Sequence, residues 1–280
     1  MMPANASLEP RTVVIRPARG WVAIDWRELI QQRELLLFLI LRDVKVRYKQ
    51  TVLGVAWAVL QPVFTMLVFT VFFGRFANMP SQNLPYAVFV YAGLLPWLFV
   101  STAIGQAALS LVNQQSLLTK VYLPRVFVPA AAIGGALVDL GVSLAVFVAL
   151  MLFYGLIPGV GVLAVPGLLL LMLAMTLGIS LILAALTVSY RDIRHVIPFL
   201  LQTWMFLSPV IYPVSFVPAK YRWLLALNPM TGIIDGFRAA FLDQPWPWDT
   251  IGVSAGVSVV CLVVGLYYFR RTERRFADVA

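Results

Sequence analysis

Side chains able to do acid, base, nucleophilic or metal chemistry are scarce in this 280-residue chain. There is one histidine, His195, and one cysteine, Cys261, so no Cys/His cluster for zinc and no intramolecular disulfide can form. His195 falls at the edge of an apolar run and reads as an ordinary loop residue. The G-x-x-x-x-G-K-[ST] loop that cradles nucleotide phosphates is absent, so any ATP chemistry must belong to another polypeptide. Asp139 is the one acidic residue deep inside an apolar stretch. A carboxylate there costs about 2.5–3.5 kcal/mol on insertion scales, so it is expected to face the protein interior and a polar partner. A proton relay would use such a group, but it would want a second acid or a base nearby, and a structural role is preferred. No catalytic residue and no metal site is expected.

Aromatic and amide side chains are better organised. Trp57, Gln61, Phe64 and Phe72 fall within about 80° of one helical face at 100° per residue. Phe199, Gln202 and Phe206 share a face in the same way. Aromatic rings offer flat apolar platforms beside polar edges, although in a chain of this kind rings also meet lipid and form belts near the headgroups. Tyr212, Tyr221, Trp223, Trp246 and Trp248 fit such a belt, and Tyr212 and Tyr221 are also placed to close a pore. Asp235 and Arg238 stand i to i+3 and can pair locally.

The elements that must hold these groups are membrane helices. The chain is 61% hydrophobic and 12% charged, about half the charge of a soluble domain. No charged residue lies between Arg75 and Lys120, and only Asp139 lies between Arg125 and Arg191. Each run is long enough for two crossings of about 20 residues, and strand alternation is absent, which argues against a barrel. The expected fold is all-α and polytopic, with six transmembrane helices at 54–74, 86–109, 127–154, 162–189, 196–212 and 250–269. With both termini cytosolic, 17 of the 21 Lys and Arg fall inside. The net charge of +9 is therefore mostly topological, and nucleic acid is not needed to explain it. Residues 1–24 are expected to be a cytosolic leader, 25–50 an amphipathic interface helix, 51–280 the transmembrane domain and 270–280 a cytosolic tail.

Between the fifth and sixth spans, prolines at 209, 213, 218 and 229 cut an apolar segment. Two helices, 218–227 and 229–242, would reach only about 15 and 21 Å, short of a hydrocarbon core of about 30 Å. Asn228 before Pro229 is a strong helix start. Segment 214–242 must cross an even number of times to keep the C-terminal arginines inside, which is met by a re-entrant two-helix hairpin entering from the outer face. An amphipathic pair lying on the outer surface is the alternative. Such backbone is tolerated at depth only when buried in protein or lining a cavity. On the inner side, residues 25–50 suit either a helix docking a partner or a plain anchor, with Lys45, Arg47 and Lys49 near anionic membrane lipids. The two inner loops are short and stiff, able to pass a push from a cytosolic partner to the spans they join.

The segments "RYKQTVLGVAWAVLQP", "YAGLLPWLF", "LLTKVYLPR", "YRDIRHVIPFLLQ", "SPVIYP" and "NPM" resemble, in order and spacing, the membrane subunits of ABC exporters for O-antigen, capsular polysaccharide and teichoic acid. That resemblance implies a homodimer with two cytosolic ABC ATPase subunits, which would hold the ATP and Mg; this chain would bind no cofactor. It implies coupling helices carrying Leu117, Lys120, Tyr122 and Arg125 in one loop and Arg191, Asp192 and Arg194 in the other. It places Trp57, Gln61, Phe64, Phe72, Phe199, Gln202 and Phe206 along the path of a lipid-linked polysaccharide, where a sugar can stack on each ring in turn without being trapped. Tyr212, Tyr221, Trp223 and Arg238 fall at its outer gate. A small-molecule exporter of the same architecture and a membrane-embedded glycan-processing enzyme are the rival readings, and the paucity of intramembrane charge argues against the enzyme.

Overall fold

In the computed structural model, residues 31–49, 56–115, 123–190 and 192–273 are described. The described residues form nine α-helices: α1 Arg33–Lys49, α2 Ala56–Phe69, α3 Tyr86–Asn113, α4 Phe127–Phe153, α5 Val165–Ser189, α6 Ile193–Leu207, α7 Arg222–Leu227, α8 Pro229–Leu242 and α9 Trp248–Glu273. The end of α2 is wound more widely over Thr70–Phe76, and a tight turn over Val160–Ala164 leads into α5. Five helices are long and apolar enough to cross a membrane: Ala56–Phe76, Tyr86–Asn113, Phe127–Phe153, Val160–Ser189 and Trp248–Glu273. They lie where five of the six expected crossings were drawn. Helix is the form that satisfies every backbone group of such a segment internally.

The bundle is built around α3. Its spanning stretch is 83% buried, against 11% for α2 and 17% for α9. Small residues let neighbours approach it, and Ala87, Ala92, Ala103, Ala107 and Ala108 are all sealed. α4, α5, α8 and α2 pack on α3, and α9 packs on α5 and α8. At the α5–α9 crossing, Gly178 and Gly265 put backbone against backbone, and a Cβ on either would collide with the main chain opposite. Without a hydrophobic drive between helices in lipid, this close approach is a main source of association.

The expected fifth span is different. Helix α6 has 15 residues and ends at Leu207 rather than continuing to 212. At 1.5 Å per residue it reaches about 22 Å, so it cannot cross a core of about 30 Å by itself. Pro209 and Pro213 are the reason, because proline lacks the donor a continuing helix needs. The 218–227 helix is likewise shortened to α7, preceded by tight turns at Val214–Phe216 and Ala219–Tyr221, whereas α8 begins and ends as expected. α8 is sunk in the bundle: every residue from Met230 to Leu242 except Asp235 is buried.

The interface helix is described from Arg33 as α1, and the first residues of the expected 25–50 helix, 25–30, lie outside the described residues. α1 is not cleanly two-faced. Leu39 is buried toward α4, while Leu37, Phe38, Leu41 and Val46 are exposed beside Lys45 and Lys49.

Candidate functional site

A proline-broken apolar segment must find partners for its free backbone groups, and residues 206–213 do so through side chains from two other helices, α3 and α8. Asn228 is central. Its Oδ1 accepts from Met230 N (3.0 Å), capping α8, and from Trp204 Nε1 (2.9 Å). Its Nδ2 donates to Leu207 O (3.1 Å) and Ser208 Oγ (2.9 Å). Arg238 Nη2 donates to Val210 O at 2.8 Å, and Tyr86 Oη donates to Ile211 O at 2.8 Å. Tyr212 Oη turns back to Phe206 O at 3.1 Å.

Arg238 is thereby a bolt between α8, α3 and the end of α6. It is 2% exposed, pairs with Asp235 at 3.2 Å as its spacing foretold, and lies 3.8 Å from the ring centre of Phe89. Gly93 makes the room, since a Cβ there would come within 2.8 Å of Arg238 Nη2 and 2.9 Å of Val210 O. The remaining candidates at this end, Tyr221 and Trp223, are half or more exposed on the turn into α7 and on α7 itself.

Along the spans, α2 and α6 leave a face uncovered. Trp57, Gln61, Phe64 and Phe72 on α2 are all exposed, as are Phe199, Gln202 and Phe206 on α6. On α2 the exposure extends to Leu67, Val68, Val71 and Phe76, so it is not confined to that face.

Where α1 packs on α4, Asp139 meets the polar partner its depth required. Arg47 Nη1 pairs with Asp139 Oδ2, and Tyr48 Oη donates to Asp139 Oδ1. Arg47 Nη2 donates to Gln106 of α3, and Gly135 gives the guanidinium space against α4. Burial first, and then the Asp139 carboxylate, push the Tyr48 phenol up to about 12, so it remains a donor throughout the physiological range. Arg42 adds a second tie, donating to Asp43 Oδ1 at 2.7 Å and to Gln114 Oε1 at 2.5 Å. Helix α1 is thus clamped to α3 and α4. The sequence signalled the need for a partner to Asp139 but not which cation supplied it. Of Lys45, Arg47 and Lys49, all expected near headgroups, Lys45 and Lys49 are exposed while Arg47 turns inward to Asp139.

Of the inner-loop candidates, Leu117, Lys120, Tyr122 and Arg191 lie outside the described residues. Arg125 reaches the carbonyl of Glu273 at the end of α9 (2.5 Å), a favourable place for a cation. Asp192 and Arg194 are exposed at the start of α6, where Arg194 Nε donates to His195 Nε2 at 3.1 Å. No group of three or more metal-ligating side chains converges among the described residues.

Residues 34–242 match the family model for the ABC-2 type transporter. The chain belongs to the ABC-2 type transporter family. Among curated members of this kind, an O-antigen export system permease protein, RfbA, of Myxococcus xanthus is 34% identical, with 90% of this chain aligned to 97% of it. An RfbA of Klebsiella pneumoniae is 24% identical over 88% of this chain and 95% of its own length. A polysialic acid transport protein, KpsM, of Escherichia coli is 27% identical over 84% and 92%. The ABC-2 match spans α1 through α8, including the Asn228–Arg238 network and the α1 clamp.

Proposed function

We propose that this chain is the membrane subunit of an ATP-driven exporter that moves a lipid-linked polysaccharide, O-antigen or capsule, across the bacterial inner membrane. The observation that carries this reading is the near full-length match to an O-antigen export permease, 97% of that protein's length. Two copies form a homodimer, each bringing the uncovered faces of α2 and α6 to a shared conduit. Trp57, Gln61, Phe64, Phe72, Phe199, Gln202 and Phe206 then line it. Exposure of all seven side chains in the single chain supports that arrangement.

Two cytosolic ABC ATPases, which hold ATP and Mg, seat on the loops of Leu117–Arg125 and Arg191–Arg194, with α1 lying in the cytosolic interface. Segment 208–212 extends α6 to complete a sixth crossing, and both termini are cytosolic. Helices α7 and α8 enter from the outside as a re-entrant pair, with Tyr212, Tyr221 and Trp223 at the mouth and Arg238 holding the pair in place. The burial of α8 supports this, because re-entrant backbone needs protein around it. Closure of the ATPases pushes the inner loops, tilts α2 and α6 and shifts the hairpin.

The test is reconstitution in vesicles. Purified alone, the chain should hydrolyse no ATP; with its ATPase it should deliver lipid-linked glycan to the far leaflet, detected by a lectin added outside. ATP turnover by the lone chain, or a complete complex that moves no glycan, overturns the assignment.

A further inference from the structure

Between α1, α2, α3 and α4 lies a cavity of about 220 Å³ that shares Trp57 and Gln61 with the proposed path and is otherwise lined by residues the path does not use. Its walls carry polar side chains in pairs one helical turn apart: Thr102 and Gln106 on α3, and Asp139 and Ser143 on α4. Helix α2 adds Trp57 and Gln61, again four residues apart. Three helices, otherwise apolar, turn a polar step toward one space.

The polar groups divide into two sets. Arg47, Tyr48, Gln106 and Asp139 bond one another and form a fixed wall whose formal charges cancel. The side chains of Gln61, Thr102 and Ser143 have no hydrogen-bond partner among the described residues. Several spanning hydroxyls, Thr65, Ser110, Thr176 and Thr187, donate back to their own helix, and Ser180 and Ser258 are buried without a partner among the described residues, but of the spanning hydroxyls only Thr102 and Ser143 line the cavity beside Gln61. Ser143 is 6% exposed and lines the cavity. Polar groups at this depth are retained where something polar satisfies them.

We propose that this cavity is a saccharide subsite in the inner half of the bundle, taking one neutral, hydroxyl-rich ring. The ring rests on the indole of Trp57, and its hydroxyls bond Gln61, Thr102 and Ser143 against the Arg47–Asp139 wall. The volume is below the 300–1,000 Å³ of pockets for drug-sized ligands, which suits one ring and not a length of chain. A wall without net charge favours a neutral sugar over a phosphate. Aromatic face plus sparse fixed polar groups is the recognition chemistry such a ring requires. This assignment rests on the polysaccharide-export reading and adds a holding place beside the conduit, which it meets at Trp57 and Gln61.

The test uses the complete complex with its ATPase in nanodiscs, with Thr102→Val and Ser143→Ala, and with Ser143→Thr to restore a hydroxyl. The probes are a polyprenyl pyrophosphate bearing a short neutral oligosaccharide and the same carrier without sugar. Half-saturation of ATP hydrolysis by the glycosylated carrier should rise about three- to ten-fold in the first two variants, the worth of one hydrogen bond, and Ser143→Thr should recover most of it. An unchanged half-saturation identifies a water-filled cavity and overturns the subsite. An equal rise for the bare carrier assigns the cavity to positioning of the helices and also overturns it. A parent complex that responds to neither probe and exports no glycan removes the export reading itself, a result distinct from both.

Discussion

Asn228 is one uncharged side chain holding two broken helices together, and its loss should be felt out of proportion to its size. Asn228→Ala removes the α8 cap and the donors to Leu207 O and Ser208 Oγ. At about 1 kcal/mol per bond, with a cap worth about 0.5–2, the expected loss is about 2–4 kcal/mol. Asn228→Asp keeps the acceptor and should lose about half as much, both read from thermal unfolding in detergent. At the other end, Arg47 and Asp139 are each about three-quarters buried and should be strongly coupled. A double-mutant cycle with Arg47→Met and Asp139→Asn should give a coupling of about 1–3 kcal/mol, because each single change strands a partly buried charge. Additive losses would show that the pair is a passive contact.

Among the elements, the long helices were legible because uninterrupted apolar runs between charged loops leave one solution, and α8 was legible because Asn228 and Pro229 mark its start. The shortness of α6 is masked in the sequence because the apolar run continues past Pro209 and Pro213, where the backbone donors a helix needs run out. Nor did sequence pair Arg47 with Asp139, 92 positions apart; a helix that looks like a membrane anchor gives no sign of which face turns inward. The α5–α9 crossing is a comparable case. Its glycines could be seen, but which helix they would admit could not. Gly265→Val should cost at the upper end of the about 1–3 kcal/mol typical of overpacking, since the opposing atoms are main chain and cannot rotate away. Gly256→Val, at a position on α9 open on all sides, should leave unfolding nearly unchanged. Equal effects would mean that the crossing does not limit stability.

Taken whole, the molecule has a sealed centre and an open flank. Phe64 and Phe72 on α2 and Phe199 on α6 are each more than half exposed, and lipid alone gives no reason for glutamines to share their faces. The assembled exporter should therefore contain two of these 31.1 kDa chains with two ATPases, as weighed by native mass spectrometry after release from membranes. A single copy in an active complex would leave those faces to lipid and remove the shared conduit. The most enclosed helix, α3, is also among the first made, whereas α4, α5 and α8, which surround it, emerge from the ribosome later. During synthesis it must wait in the bilayer unclothed until its neighbours arrive. A nascent chain stopped before Pro229 would already have α4 and α5 against α3, and would leave bare only the flank that α8 covers.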